Sequence, residues 1–336
     1  MNAALDTLSD KSRALLESAP HPDWCAPMLA TLTDDRFSDP DWIYERKLDG
    51  ERALAFRDGD RIRLLTRNRN MLNDTYPDLV DAIARQRHAN FVVDGEIVAF
   101  DGNISSFSRL QERMQITYAE KARASPVPVY YYLFDLPYLE GNDLSALPLR
   151  DRKALLKRVF DFSDILRLTP HRNADGEVFL KEACDKGWEG LIAKRANAPY
   201  RHSRSTDWLK FKCGHGQELV IGGFTEPHGS RIGFGALLVG YHDDEGALRY
   251  AGKVGTGFGD DFLRSFRERL NGLVRDTSPF ADEVQDQTAS FVTPELVAEI
   301  GFTEWTDAGK LRHPRFLGLR DDKAPRDVVR ERPVSE

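Results

Sequence analysis

Apolar and polar positions along the first two-thirds of the chain switch between the two-residue repeat of strands and the longer repeat of helices. Residues 1–20 read as a short amphipathic helix, with Leu5, Leu8, Leu15 and Leu16 as its apolar set. From Asp41 strands take over. Trp42-Ile43-Tyr44 is one, and residues 52–56 and 62–66 form a hairpin closed by Asp58-Gly59. Pro77 opens a helix running to about His88, because proline at the first helical position forfeits no hydrogen bond. Residues 91–100 are a strand, 105–123 a helix capped by Ser105 or Ser106, and 129–134 a buried strand. Helices follow at 150–160 and 176–186, the second stopped by Gly187.

At Cys213-Gly214-His215-Gly216 the pattern changes, and two glycines in three residues suit a hinge. Short strands at 218–225, 235–242, 247–254, 295–306 and 311–319, with an amphipathic helix at 260–273, fit a small Greek-key barrel of the OB type. The predicted fold class is α+β: antiparallel sheets with flanking helices, followed by a C-terminal OB-fold barrel. The expected boundaries are a helical segment over 1–20, a first domain over 21–213, the barrel over 214–330 and a frayed tail over 331–336.

A chain of 336 residues can bury two sizeable cores, and 41% hydrophobic with 30% charged residues suits a globular protein. No run of 18 apolar residues suggests a membrane span, and the start has no secretory pattern. Cys25, Cys184 and Cys213 are odd in number and lack metal-ligand spacing, so we expect reduced thiols in a cytoplasmic protein. A net charge of −7 weighs mildly against a nucleic-acid partner. Local basic surface counts for more than the total, and Arg61, Arg63, Arg67 and Arg69 cluster, as do Arg195, Arg201, Arg204, Lys210 and Lys212.

The chemistry begins at Lys47-Leu48-Asp49-Gly50. A lysine is ammonium at neutral pH, so a nucleophilic role requires its pKa to fall, through burial or nearby cations. In Asp94-Gly95-Glu96 the carboxylates are two residues apart on a strand and face one side, beside Val92 and Val98. Acids so placed need partners: a metal ion, ribose hydroxyls or arginines. Glu189, in Trp188-Glu189-Gly190-Leu191-Ile192, enters an apolar strand and is a second carboxylate suited to Mg²⁺. In Trp208-Leu209-Lys210-Phe211-Lys212 the lysines share a face, and two adjacent ammonium groups call for an anion between them. Arg320-Asp321-Asp322-Lys323 follows the last strand and reads alone as a solvated charged loop.

In this order and spacing the segments resemble the covalent nucleotidyltransferase superfamily, most closely the ATP-dependent DNA ligase module of bacterial end-joining ligases. His21-Pro22, Met28 to Leu32, Asp41 to Gly50, Gly229 to Leu238 and Phe302 to Arg320 carry the likeness, which covers about residues 21–330. The resemblance makes the first domain an adenylation domain. It implies that Lys47 is adenylated by ATP, that Glu45 recognises adenine and that Phe134 stacks on it. Arg52 and Arg67 meet ribose and phosphate or the 5′-phosphate of a nick. Lys210 and Lys212 hold the α-phosphate, while Arg320 and Lys323 orient pyrophosphate. Asp49, Glu96 and Glu189 hold Mg²⁺, with Mn²⁺ as substitute, and Glu96 also serves the ribose.

The implied partner is nicked or broken duplex DNA in non-homologous end joining, joined by bacterial Ku and by separate polymerase and phosphoesterase proteins. There is no room in this length for those two modules, nor for the helical DNA-binding domain of replicative ligases. A monomer and no membrane attachment are expected. The rival readings are an RNA ligase or capping guanylyltransferase of the same chemistry, a non-catalytic DNA-end binding module, and a bare OB-type single-strand binder.

Overall fold

The computed structural model describes residues 4–163, 165–227, 229 and 232–333. Ser230 and Arg231, within the stretch that carries the resemblance, and half of the expected tail (334–336) lie outside the described residues. The chain divides into two compact units, Met1–Cys213 with Arg332–Glu336, and Gly214–Glu331. No helix among the described residues is long and apolar enough to cross a membrane.

The first unit is built on two sheets. One runs Glu17–Ser18, Asn142–Asp143, Tyr130–Leu139, Asn90–Val98, Glu51–Asp58, Arg61–Thr66, with Leu166–Leu168 parallel to Tyr130–Leu139. The other runs His171–Asn173, Trp42–Arg46, Gly190–Arg195, Arg204–Lys212, Leu29–Leu32. The expected hairpin is present: Glu51–Asp58 pairs with Arg61–Thr66 around Gly59, whose φ of +62° favours glycine. One face of the first sheet buries Ala53, Ala55, Val93 and Ile97 against Leu79, Ile83, Leu155 and Leu156. These come from helices Pro77–Ala84 and Leu149–Val159. One face of the second sheet buries Tyr44, Leu191, Ala193 and Phe211 against helix Gly176–Asp185 through Phe179 and Ala183. The remaining faces meet across Met28, Phe134, Tyr200 and Trp208.

Several sequence expectations need correction. Residues 1–20 are not one helix but a 3₁₀ turn Leu5–Thr7, a helix Asp10–Arg13 capped by Ser9, and a strand Glu17–Ser18. Leu5 and Leu8 are buried there while Leu15 is exposed. The helix from Pro77 ends at Ala84 rather than His88, because the Arg57 guanidinium takes the carbonyls of Ile83, Gln86 and His88 at 2.7–3.0 Å. Residues 105–123 form two helices, Phe107–Met114 and Ala119–Arg123, parted around the β-branched Ile116-Thr117. Cys184 and Cys213 are not free thiols: they form a disulfide with Cα atoms 5.3 Å apart, leaving Cys25 free. A separation of 29 residues gave no hint of the pairing. The case for a reducing compartment built on the cysteines therefore falls.

The second unit is an antiparallel sheet ordered Leu248–Val254, Leu237–His242, His215–Thr225, Ala289–Phe302, Val274–Arg275, with Arg315–Leu319 also on Ala289–Phe302. Helix Asp260–Asn271 lies between the third strand of the meander and the returning strands, the order of an OB fold. It buries Leu263, Phe266 and Leu270, each worth about 1.5–3 kcal/mol, against Phe234, Leu237 and Val254. The expected strand 295–306 is the longer Ala289–Phe302. The tail is less frayed than expected at its start: the Glu331 amide donates to Gln217 Oε1 at 3.1 Å.

Candidate active site

Two glycines set the site's backbone. Gly50, closing the Lys47 segment, lies so close to strand Asn90–Val98 that a Cβ there would sit 2.2 Å from the Ile97 carbonyl oxygen. Gly190 has φ +146°, and its Cβ would meet the Phe211 carbonyl oxygen at 2.0 Å. The Lys47 amide donates to the Gly190 carbonyl at 2.9 Å, which carries the lysine to the start of strand Gly190–Arg195. Gly190 in turn faces Lys212, and Ile192 faces both Glu45 and Lys210. Strand register thus gathers Glu45, Lys47, Glu189, Lys210 and Lys212. The alternation read in Trp208 to Lys212 holds: Leu209 and Phe211 are buried and both lysines are half-buried.

Lys47 Nζ is paired with Glu189 Oε1. Burial disfavours its charge and Lys212 repels it, yet Glu189, helped by Asp49, outweighs both and raises the ammonium above the ordinary lysine range. The expectation of a depressed pKa is therefore corrected for this state, in which Glu189 stores the proton on the lysine. Glu189→Gln removes the largest of the raising interactions. We expect Lys47 to titrate lower in that variant, measured as amine-reagent labelling against pH by mass spectrometry. An unchanged labelling profile would contradict the ion pair's control of the lysine.

Glu45 is buried and bridges two buried lysines, Lys153 at 2.5 Å and Lys194 at 2.6 Å. Burial alone would raise its pKa, but the two ammonium groups hold it below the ordinary range. Lys194 is lowered to about 8, chiefly by burial, with Glu45 opposing. Its Nζ lies 4.1 Å from the Phe134 ring centroid and 3.9 Å from that of Trp208. Neither Lys153 nor Lys194 was assigned a role from sequence. The available signal was Lys194 itself, a cation directly after the apolar run Leu191 to Ala193.

Asp94 is wholly buried and takes Arg52 in a fork, Nε and Nη2 each at 2.5 Å, plus the Tyr200 hydroxyl at 2.6 Å. Of the partners open to that acid pair, arginine is the one Asp94 has. Arg52 lies 4.5 Å from the Phe134 ring centroid, and Phe134 is 8% exposed. Glu96 shares the Asp94 side of the strand and is half-buried. Arg67 follows Thr66 in a turn held by Thr66 Oγ1, which accepts from the amides of Asn68 and Asn70.

The expected trio Asp49, Glu96 and Glu189 is not gathered into a metal cluster; among the described residues no three His, Cys, Asp or Glu side chains could hold an ion. Asp49 is drawn aside to the start of helix Phe107–Met114, where Oδ2 accepts from the Phe107 amide at 3.2 Å. Glu189 Oε2, by contrast, is buried with no hydrogen-bond partner among the described residues. One carboxylate oxygen on the strand entry facing Lys212 fits Mg²⁺, which takes few protein ligands and completes its shell with phosphate oxygens and water.

In the second unit, Arg320 and Lys323 are not in a solvated loop. Arg320 forks onto Asp322 with both contacts at 2.8 Å, and Lys323 pairs with Glu218 at 2.7 Å. Arg320 and Asp322 are largely buried, so this is an interior ion-pair network.

A family model described as ATP dependent DNA ligase domain matches residues 27–212, and one described as ATP dependent DNA ligase C terminal region matches residues 230–323. The chain is 39% identical over 323 residues to the multifunctional non-homologous end joining protein LigD of Pseudomonas aeruginosa, covering 94% of this chain and 38% of that protein. Against LigD of Mycobacterium bovis identity is 36% over 315 residues, covering 91% and 40%. The chain thus spans about two-fifths of the length of these relatives. A solved structure of mycobacterial DNA ligase D complexed with ATP and MES is similar at 34% identity and a TM-score of 0.65, covering 91% of this chain and 98% of that one.

Proposed function

Because the chain belongs to the ATP-dependent DNA ligase family, we propose that it seals 5′-phosphate/3′-hydroxyl nicks in duplex DNA through a lysyl-AMP intermediate. The observation that carries this is Lys47 Nζ, half-buried, paired to Glu189 and beside Lys212. Residues 21–213 act as the adenylation domain and 214–330 as the mobile barrel.

In the first step Lys47, freed from Glu189 and with its proton released to solvent, attacks the α-phosphate of ATP through Nζ. A P–N bond forms as the P–O bond to pyrophosphate breaks. Lys210 and Lys212 hold the α-phosphate, while Glu45, Arg52, Arg67 and Phe134 position the nucleoside and its phosphates. Arg320 and Lys323 reach pyrophosphate once released from Asp322 and Glu218. AMP then moves to the 5′-phosphate of the nick, and attack by the 3′-hydroxyl expels it. Each step is an in-line displacement, so positioning and charge neutralisation supply most of the catalysis. Mg²⁺ or Mn²⁺, held by Glu189 with Glu96 near the ribose, would neutralise phosphate charge.

The end-joining relatives favour break repair as the setting; a Ku-type end-binding protein as partner and the cytoplasm as location are part of the same proposal and rest on the resemblance alone. Intact-mass spectrometry tests the core claim. Mg-ATP should add one AMP to the protein, GTP should not, and nicked DNA should then discharge the adduct. No adduct under any condition would remove the enzyme reading. Nick affinity should fall steeply with salt, about 100-fold between about 50 and 200 mM if about four phosphates are contacted. A flat profile would mean the arginine clusters do not touch DNA.

A further inference from the structure

A cavity of about 440 Å³, within the range of small-molecule sites, opens beside helix Leu149–Val159. Arg150, Lys153 and Lys157 reach it from successive turns of one helix face. Leu168 and Pro170 give it an apolar wall, and among the described residues no acid lines it. Arg150 donates to Asn173 Oδ1 at 3.1 Å and the Pro40 carbonyl at 3.0 Å, so its charge is not neutralised. Lys157 is exposed and has no ion-pair partner among the described residues. His171, also in the lining, is pulled below the usual histidine range, first by burial and then by Lys153, which reports the positive field there.

A second observation is independent of charge. Thr169 lines the cavity and is 2% exposed, and its hydroxyl is buried without a hydrogen-bond partner among the described residues. Buried hydroxyls are rarely left so unless something else satisfies them. Of the groups that make up the active site, Lys153 alone lines this cavity, and its ammonium is already committed to Glu45.

We propose that this cavity is a second anion site for a nucleoside phosphate, with the phosphate on Arg150 and Lys157 and the apolar body against Leu168 and Pro170. Nothing in this depends on the ligase reading. The probe is AMP, titrated by calorimetry into wild type, Arg150→Ala, Lys157→Glu and Lys210→Ala. One binding event should weaken roughly tenfold or more in each of the first two variants, as loss of a charged hydrogen bond implies. It should persist in Lys210→Ala. Both changed positions are exposed, so the fold is retained, and Lys157→Glu should still take the AMP adduct from Mg-ATP. That separates failure of this proposal from failure of the catalytic one. AMP binding indifferent to both cavity variants would overturn the site, and so would binding lost only in Lys210→Ala. Inorganic phosphate binding as tightly as AMP would overturn the nucleoside assignment. If a 5′-phosphorylated duplex loses affinity in Lys157→Glu while AMP does not, the cations serve DNA and the small-ligand site is wrong.

Discussion

Lys47→Ala should abolish AMP transfer to the protein and lower nick sealing by a factor on the order of 10⁴ or more, as removal of a covalent nucleophile does. The loss should be chemical rather than structural. The link from residue 47 to the Gly190 carbonyl is made by the backbone amide, which alanine keeps. The lysine side chain is 18% exposed, so its truncation opens no closed core cavity. The change does leave Glu189 without its cation. Lys47→Arg is therefore the companion variant: it keeps a charge for Glu189 and still lacks a nucleophilic amine. Both should melt near wild type and both should lack the adduct. Sealing at wild-type rate by either variant would end the assignment of Lys47.

The largest stability effect should come from a pair with no part in the chemistry. Asp135 and Arg152 are wholly buried, with Arg152 Nε at 2.7 Å and Nη2 at 3.0 Å from the carboxylate. Arg152 also donates to the carbonyls of Leu147 and Ala198. Asp135→Ala leaves that guanidinium uncompensated, at a cost of about 3–5 kcal/mol. Against a typical total of about 5–15 kcal/mol, this threatens the fold at 37 °C. Burial would raise the Asp135 pKa, but Arg152 outweighs it and holds the carboxylate below its ordinary value. The pair's contribution is therefore complete above the unfolded value of about 3.9 and is lost as pH falls through the lower folded value. Urea midpoints should differ widely between wild type and variant at neutral pH and converge in acid. A neutral-pH difference below about 1 kcal/mol would show the pair to be dispensable.

What could be read from sequence follows the range of the forces involved. The two-residue period placed Lys210 and Lys212 on one face, and the Asp58-Gly59 turn placed the hairpin, because both are local. The helix ends failed where a distant residue decides them: Arg57 stops the helix at Ala84, and no pattern within 77–88 encodes Arg57. Lys47 stood out by its motif, but its ion pair did not, since that depends on Glu189 arriving 142 residues later. Lys153 and Lys194 were missed for the same reason. Each is an ordinary lysine until the sheets bring Glu45 between them. Arg320 and Lys323 were singled out by position, but their burial among acids required the partner strands.

Phe134 is 8% exposed, with the Arg52 guanidinium and the Lys194 ammonium both over its ring. A base that is to stack there must first uncover it, and Arg52 is held by Asp94 while Lys194 is held by Glu45. If stacking requires that uncovering, a covered and a receptive conformation exchange. The measured nucleotide Kd is the intrinsic one divided by the receptive fraction. Asp94→Asn, which loosens Arg52 from its carboxylate, would raise that fraction and tighten ATP binding without adding a contact, whereas Glu45, which holds Lys194, is itself assigned to the nucleoside. Selection for speed and selection for affinity would pull on these same two salt bridges.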